Sequence, residues 1–123
     1  MGKKVEDFFL DKYVDGLAVG TLMSVCSAEP ANKAAVAGVT LASVALTAGV
    51  GGGDYTKANG DTSGRKLTVA QQASISITGS GDATHIVIDD GTNIWVTTCT
   101  LQTLTSGGTV TVPAFDAEIA DPT

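Results

Sequence analysis

The chain has 123 residues and a formal net charge of −6, a length that suits one compact domain. All seven Lys and Arg residues lie within residues 1–66, and the charged residues of the segment 67–123 are all Asp or Glu. Because an acidic surface repels phosphate backbones, we expect no nucleic-acid partner. Abundant Thr, Gly and Val with only 5% aromatic residues favour a β-rich fold with an aliphatic core.

The N-terminal segment contains the one convincing helical pattern, over residues 5–17. Its apolar residues recur every four positions and form a stripe, which three further apolar residues widen. The stripe consists of Val5, Phe9, Tyr13 and Leu17, widened by Phe8, Leu10 and Val14. The main interpretation is that this stripe packs on the chain's own sheet, and the alternative is that part of it docks on a partner subunit.

After Gly20 the pattern predicts strands separated by turns. The predicted strands are 21–27, 35–48 (one strand or two, with a bulge or bend at Gly38), 65–70, 73–78, 83–88, 93–100 and 109–115. Residues 49–64 are rich in Gly and predict a loop, and Asp90-Gly91 predicts a tight hairpin turn in which both residues take positive φ. The uncharged run 34–50 is interpreted as buried strand rather than a membrane span, and residues 1–20 show no signal peptide.

These elements predict a mainly β protein, an antiparallel β-sandwich or small barrel with one short N-terminal helix. The predicted organisation is a helical segment over residues 1–20, followed by a single β domain over residues 21–123.

The side chains that carry chemistry are too dispersed to predict a catalytic, cofactor or metal site, so we expect no enzyme. His85 is the only histidine, and it lies in a strand pattern, where a catalytic base would need both a nucleophile and an orienting acid nearby. Asp89-Asp90 is explained by its turn, and Asp116 with Glu118 is explained by an exposed strand face. Cys26 and Cys99 lack metal-ligand spacing and are interpreted mainly as buried free thiols, with a disulfide as the alternative.

Several short segments resemble a family of small virion structural proteins of tailed bacteriophages. The segments that carry the resemblance are 25–30, 61–69, 81–85, 89–93 and 113–119. The similarity covers most of the chain, but the segments that carry it are turns and strand edges without a catalytic signature. The resemblance implies a capsid decoration (cement) protein that is made in the host cytoplasm and located in the virion, on the capsid surface.

The implied partners are the major capsid protein and other copies of the chain, as a homo-oligomer such as a trimer. We expect the N-terminal segment to face the capsid or a neighbouring copy, through Lys3, Lys4, Val5, Phe8, Phe9, Lys12 and Tyr13. The alternative function is a tail, connector or fibre component. In that case Trp95, Tyr55 and the Gly-rich loop 49–64 would bind host carbohydrate.

Overall fold

A computed structural model describes residues 4–121, and most of its ordered elements are antiparallel β-strands. The elements in chain order are α1 (Asp7–Leu17), β1 (Leu22–Cys26), α2 (Lys33–Val36), β2 (Thr40–Ala45), β3 (Tyr55–Asn59), β4 (Arg65–Val69), β5 (Gln72–Ser76), β6 (Gly81–Asp89), β7 (Ile94–Leu104), β8 (Thr109–Val112) and β9 (Phe115–Ile119). The strands form three antiparallel sheets in the orders β2-β1-β6-β7, β3-β4-β9 and β5-β8. The predicted fold class, mainly β with a short helix near the N-terminus, is confirmed.

Contacts between Cα atoms divide the described residues into two compact units. The first contains residues 4–19, 47–71 and 113–121, and the second contains residues 20–46 and 72–112. The predicted division into 1–20 and 21–123 differs from this one. The reason is that α1 packs on β4 and β9, which come from distant parts of the chain, so its residues share a core with those strands.

The first unit is built on the sheet β3-β4-β9, with α1 packed against it. Leu67 and Val69 alternate along β4 and are fully buried, as is Tyr55 at the start of β3. Leu10 and Val14 of α1 complete this apolar core. The alternation of buried Leu67 and Val69 with the half-buried residues of β4 is the period-two pattern expected of a sheet strand.

The second unit contains the sheets β2-β1-β6-β7 and β5-β8. Strand β1 lies between β2 and β6, and four of its five residues are buried. A small apolar cluster of Cys26, Val36 and Val87 lies on this sheet, and Ile94 and Val96 of β7 pack against it. These contacts attach both α2 and the first half of β7 to the sheet.

The prediction for residues 35–48 needs correction, because they contain one shorter strand and the end of a short helix. Asn32 caps a short helix, α2, by accepting a hydrogen bond from Ala35 N at 3.0 Å, and only residues 40–45 are extended. Gly38 lies in the turn between them rather than at a bulge. No helix within residues 4–121 is long and apolar enough to cross a membrane.

The predicted Gly-rich loop 49–64 also needs correction, since strand β3 lies inside it. Residues 55–59 pair with residues 65–69 in regular antiparallel register, so the loop is split into a turn before β3 and a hairpin connection at 60–64. The hairpin closes with a hydrogen bond from Gly60 N to Gly64 O of 2.9 Å.

Three further details differ from the predictions for the second half. Strand β7 continues to Leu104 rather than ending at residue 100. The predicted strand 109–115 is interrupted at Pro113, so that β8 pairs with β5 and β9 pairs with β4. The β6–β7 connection spans residues 90–93. Of these four residues, which the structure describes, only Gly91 has a positive φ, whereas a positive φ was predicted for Asp90 as well.

Candidate interaction surface on helix α1

Helix α1 buries a different face from the one that its aromatic residues predict. Leu10 and Val14 are the buried residues of the helix, with exposed fractions of 5% and 0%, and Ala18 just after it is buried as well. Phe9 and Tyr13, the centre of the predicted stripe, lie outside this core. The interpretation that the whole stripe packs on the chain's own sheet is therefore wrong.

The aromatic residues of α1 form an exposed surface instead. Phe8 is 64% exposed, Phe9 is 62% exposed and Tyr13 is 47% exposed. The rings of Phe8 and Phe9 meet edge to face, with centroids 5.3 Å apart, and the Lys12 ammonium lies 4.8 Å from the centroid of the Phe8 ring. We call Phe8, Phe9, Lys12 and Tyr13 the outer aromatic surface.

Ion pairs fix the orientation of α1 on its sheet. Asp11 accepts a hydrogen bond from Arg65 Nε at 2.7 Å, and both side chains are about four-fifths buried, at 22% and 18% exposed. Asp15 accepts a hydrogen bond from Lys57 Nζ at 2.9 Å, and this contact raises the pKa of the lysine. Because these pairs hold the acidic side of the helix against β3 and β4, the outer aromatic surface is kept facing away from them.

These anchoring residues were not predicted from the sequence. The partners of each ion pair, Asp15 with Lys57 and Asp11 with Arg65, lie more than forty positions apart in the sequence. No local pattern relates residues at that distance. The one available signal was the number of acidic residues on a helix whose only internal cation is Lys12. That imbalance requires cations from elsewhere in the chain if the acids are to be partly buried.

The outer aromatic surface carries a cation without a compensating carboxylate. Among residues 4–121, Lys12 makes no ion pair, whereas Asp11 and Asp15 are neutralised by Lys57 and Arg65. The surface therefore presents three aromatic rings next to a positive charge. An acidic and partly apolar partner surface would complement it.

An open cavity of about 580 Å³ adjoins this surface at the start of α1. It is lined by Lys4, Val5, Glu6, Asp7, Phe8 and Asp121. Lys4 and Glu6 form an exposed ion pair of 3.0 Å at its rim. The structure thus places Lys4, Val5, Phe8, Phe9, Lys12 and Tyr13 on one end and one face of the helix, whereas Lys3 lies outside the described residues.

The side chains considered for chemistry do not converge. His85 is half-buried, and its Nδ1 lies 2.8 Å from the hydroxyl of the adjacent Thr84. Asp89 is buried, with Oδ1 accepting from Gly91 N at 3.0 Å, and Asp90 accepts from the Thr92 and Asn93 amides, which lowers its pKa. Within residues 4–121, no group of three His, Cys, Asp or Glu side chains is placed to hold a metal ion.

Both cysteines are free, as the main interpretation of the sequence predicted. Cys26 is fully buried, whereas Cys99 is only half-buried. Burial raises the pKa of both thiols, which keeps them in the less nucleophilic protonated form at neutral pH.

The residues proposed for carbohydrate binding are not displayed as a platform. Tyr55 is 0% exposed and cannot stack on a sugar. Trp95 is half-buried in β7. Aromatic rings that bind sugars need an open face, and neither ring is more exposed than the phenylalanines of α1.

Comparison of the chain with protein-family models, with curated proteins and with solved structures finds no match. The functional argument therefore rests on the residues of the chain itself, and above all on the outer aromatic surface.

Proposed function

We propose that this protein is a virion structural protein of a tailed bacteriophage and that it decorates the capsid, binding the shell through the outer aromatic surface of α1. The exposure of Phe8 and Phe9 on a helix that is anchored on its other side is the observation that carries the proposal. The resemblance of the sequence to small virion proteins of tailed phages supports the choice of partner.

The outer aromatic surface has the composition of an interface centre. Aromatic side chains dominate the binding energy of many protein interfaces, and they contribute most where they enter a desolvated pocket. Burying the remaining exposed part of each phenylalanine contributes about 1–2 kcal/mol, given the usual value for a fully buried ring. A decoration protein needs only a modest free energy of binding from each copy, since many copies bind to one shell.

Anchoring of the helix favours binding because little order has to be gained. The Asp11–Arg65 and Asp15–Lys57 pairs hold the backbone that carries the rings, so the cost of ordering on association is confined to a few side chains. Lys12, next to the rings and without an ion pair in the described part of the chain, adds electrostatic selectivity for an acidic partner site.

Capsid binding can be tested with empty capsids of the phage that encodes the chain. We expect the Phe8→Ser/Phe9→Ser double variant to bind at least about tenfold more weakly, because about 1.4 kcal/mol corresponds to a factor of ten. Val50→Ser is the matched control, since Val50 is also an exposed apolar residue of the same unit but lies outside α1. It should bind like the unmodified chain.

Circular dichroism establishes that each variant is folded, and co-sedimentation with capsids measures binding. Unchanged capsid binding by the folded double variant would contradict the proposed contact. Binding of the unmodified chain to purified tails, and not to capsids, would favour the tail, connector or fibre alternative.

A further inference from the structure

An open cavity of about 310 Å³ lies within the second compact unit. Residues of β1, β2 and α2 line it, together with Thr78, which follows β5. Its volume is at the lower end of the range for small-molecule sites. The polar residues of the lining are Ser24, Lys33, Thr40, Ser43 and Thr78.

The cavity adjoins one face of the sheet that contains β1 and β2. Ser24 and Ser43 lie directly opposite each other in the register of these strands, so their side chains are on the same face. Leu22, two residues before Ser24, also lines the cavity, whereas Met23 and Val25 of the other face do not. The hydroxyl of Ser24 therefore faces the cavity.

Ser24 is buried without a partner for its hydroxyl. The residue is only 1% exposed, yet its side chain makes no hydrogen bond to any other residue within 4–121. A buried hydroxyl without a partner costs free energy, so such a group in a native protein calls for an explanation. Ser43 is exposed, and its hydroxyl likewise has no partner in the described part of the chain. The two serines thus offer hydrogen-bond donors to a ligand.

Lys33 adds a positive charge to this cavity. It is the only Lys or Arg of the second unit. The acidic residues of that unit are Glu29, Asp82, Asp89 and Asp90. Among the residues that the structure describes, none of them forms an ion pair with Lys33, and none lines the cavity. An uncompensated cation in a cavity favours an anionic ligand.

The two threonines of the lining present acceptors rather than donors. The hydroxyl of Thr40 donates its proton to Val36 O at 2.8 Å, and the hydroxyl of Thr78 donates its proton to Leu41 O at 3.3 Å. Each of these oxygens keeps lone pairs that can accept a hydrogen bond. A complementary ligand therefore accepts hydrogen bonds from Lys33 and the two serines and also donates one to a threonine.

We propose that this cavity binds a hydrogen phosphate group, either as free inorganic phosphate or as part of a small phosphate monoester. Such a group combines negative charge and several acceptor oxygens with a P–OH donor, which complements the lysine, the serines and the threonines. Sulfate has a similar shape but no proton to donate, so it lacks the hydrogen bond to Thr40 or Thr78. The site contains no residue of the outer aromatic surface and does not depend on the proposed function.

Titration of the ¹⁵N-labelled full chain with inorganic phosphate, followed through backbone amide chemical shifts, tests this site. The titration is run at about pH 6, where a phosphate monoester is also partly protonated. We expect saturable shifts at Ser24, Ser43 and Thr78, with a dissociation constant of about 0.1–10 mM, because a single lysine carries the charge of the site. Sulfate at equal ionic strength is expected to bind at least about tenfold more weakly.

Glycerol 1-phosphate distinguishes the two sources of the group. Tighter binding of this monoester than of inorganic phosphate would identify a phosphate monoester as the ligand, because the cavity then contacts the substituent as well. Weaker binding would identify free phosphate as the ligand.

Two substitutions test the residues of the site, and circular dichroism establishes that each variant is folded. Lys33→Gln is expected to weaken phosphate binding at least about tenfold, because the only cation of the cavity is lost. Ser24→Ala is expected to weaken it about three- to tenfold, because a buried donor is lost. Lys12→Gln is the matched control for charge, since Lys12 also makes no ion pair within residues 4–121 but lies on α1. It should bind phosphate like the unmodified chain.

Three results would overturn the proposal. The first is a set of amide shifts that do not saturate and are equal for phosphate and sulfate, which would indicate only a general effect of salt. The second is a Lys33→Gln variant that binds phosphate as tightly as Lys12→Gln. The third is a folded Ser24→Ala variant with the affinity of the unmodified chain, since the buried hydroxyl would then not contact the ligand.

Discussion

Tyr55 shows at the scale of a single residue how burial changes the chemistry of a side chain. It is fully buried at the start of β3, and this burial, with a smaller contribution from Asp54, raises its pKa to about 12. The folded state therefore favours the neutral phenol. Since its pKa in the unfolded chain is about 10, the stability that Tyr55 contributes is fully present below pH 10 and is lost as the pH rises towards 12.

We predict that Tyr55→Phe reduces the loss of stability in alkali. Between pH 8 and pH 11.5 the unmodified chain should lose about 2 kcal/mol more of its free energy of unfolding than the variant, because a phenylalanine does not ionise. Urea unfolding at the two pH values measures the difference. Equal losses in the two proteins would contradict the assignment.

Asp11 has the largest structural role among the acidic residues of α1. It contacts both Arg65, at 2.7 Å, and Lys57, at 3.7 Å, and its side chain is 22% exposed. We predict that Asp11→Asn lowers the free energy of unfolding by about 1–2 kcal/mol, since a charge-assisted and partly buried pair is lost. Glu29→Gln, at an exposed acid, is the control and should change stability by less than about 0.5 kcal/mol in urea unfolding. A similar, small effect of both substitutions would show that the pair does not anchor the helix.

At the scale of elements, the hairpin between β3 and β4 depends on Gly64. Its φ is +73°, and a Cβ at this position would collide with the backbone oxygen of Ile119 on β9. Gly107 also has a positive φ, +95°, but open space around its Cα. A comparison of alanine substitutions at the two glycines therefore separates the free-energy cost of the positive φ from the cost of the collision.

We predict that Gly107→Ala costs about 1–2 kcal/mol and that Gly64→Ala costs more, at least about 3 kcal/mol, or prevents β9 from pairing with β4. Thermal and urea unfolding measure both variants. Equal destabilisation would mean that the chain at Ile119 moves aside freely and that the close approach has no structural role.

The elements predicted correctly are those whose pattern is local. Residues 5–17, 21–27, 65–70, 73–78 and 83–88 each agree with an observed element to within two residues at either end. Alternation within a strand, or a period of 3.6 in a helix, records which face is buried, and neighbouring residues suffice to show it.

The elements that were missed are stabilised by distant contacts. Strand β3 lies between two glycine-rich turns, and only Tyr55 among its residues is fully buried. Its pairing with β4, and the contact of Lys57 with α1, make it a strand. Helix α2 is a single turn defined by the Asn32 cap, too short to produce a period.

The residues of the outer aromatic surface were named from the sequence. Whether they pack on the chain's own sheet or face outwards was left as two alternatives. Helix α1 carries two apolar stripes: one includes Phe9 and Tyr13, and the other includes Leu10 and Val14. Because aromatic side chains are larger, the sequence favours the stripe with Phe9 and Tyr13 as the buried face, whereas the structure buries the stripe with Leu10 and Val14. The choice is made by Arg65 and Lys57, which attract the acidic side of the helix and so turn the rings outwards.

At the scale of the whole molecule, the outer aromatic surface belongs to the compact unit that contains residues 4–19, 47–71 and 113–121. The outer aromatic surface is an exposed apolar patch next to a cation, and an acidic, partly apolar pocket on a partner would complement it.

The decoration proposal is tested most directly by the copy number of this protein in purified virions of a tailed phage whose genome encodes it. Quantitative mass spectrometry would give its ratio to the major capsid protein. We predict a ratio near one copy per capsid subunit, or one per few subunits. A handful of copies per particle would indicate a tail, connector or fibre component, and complete absence would contradict a virion role.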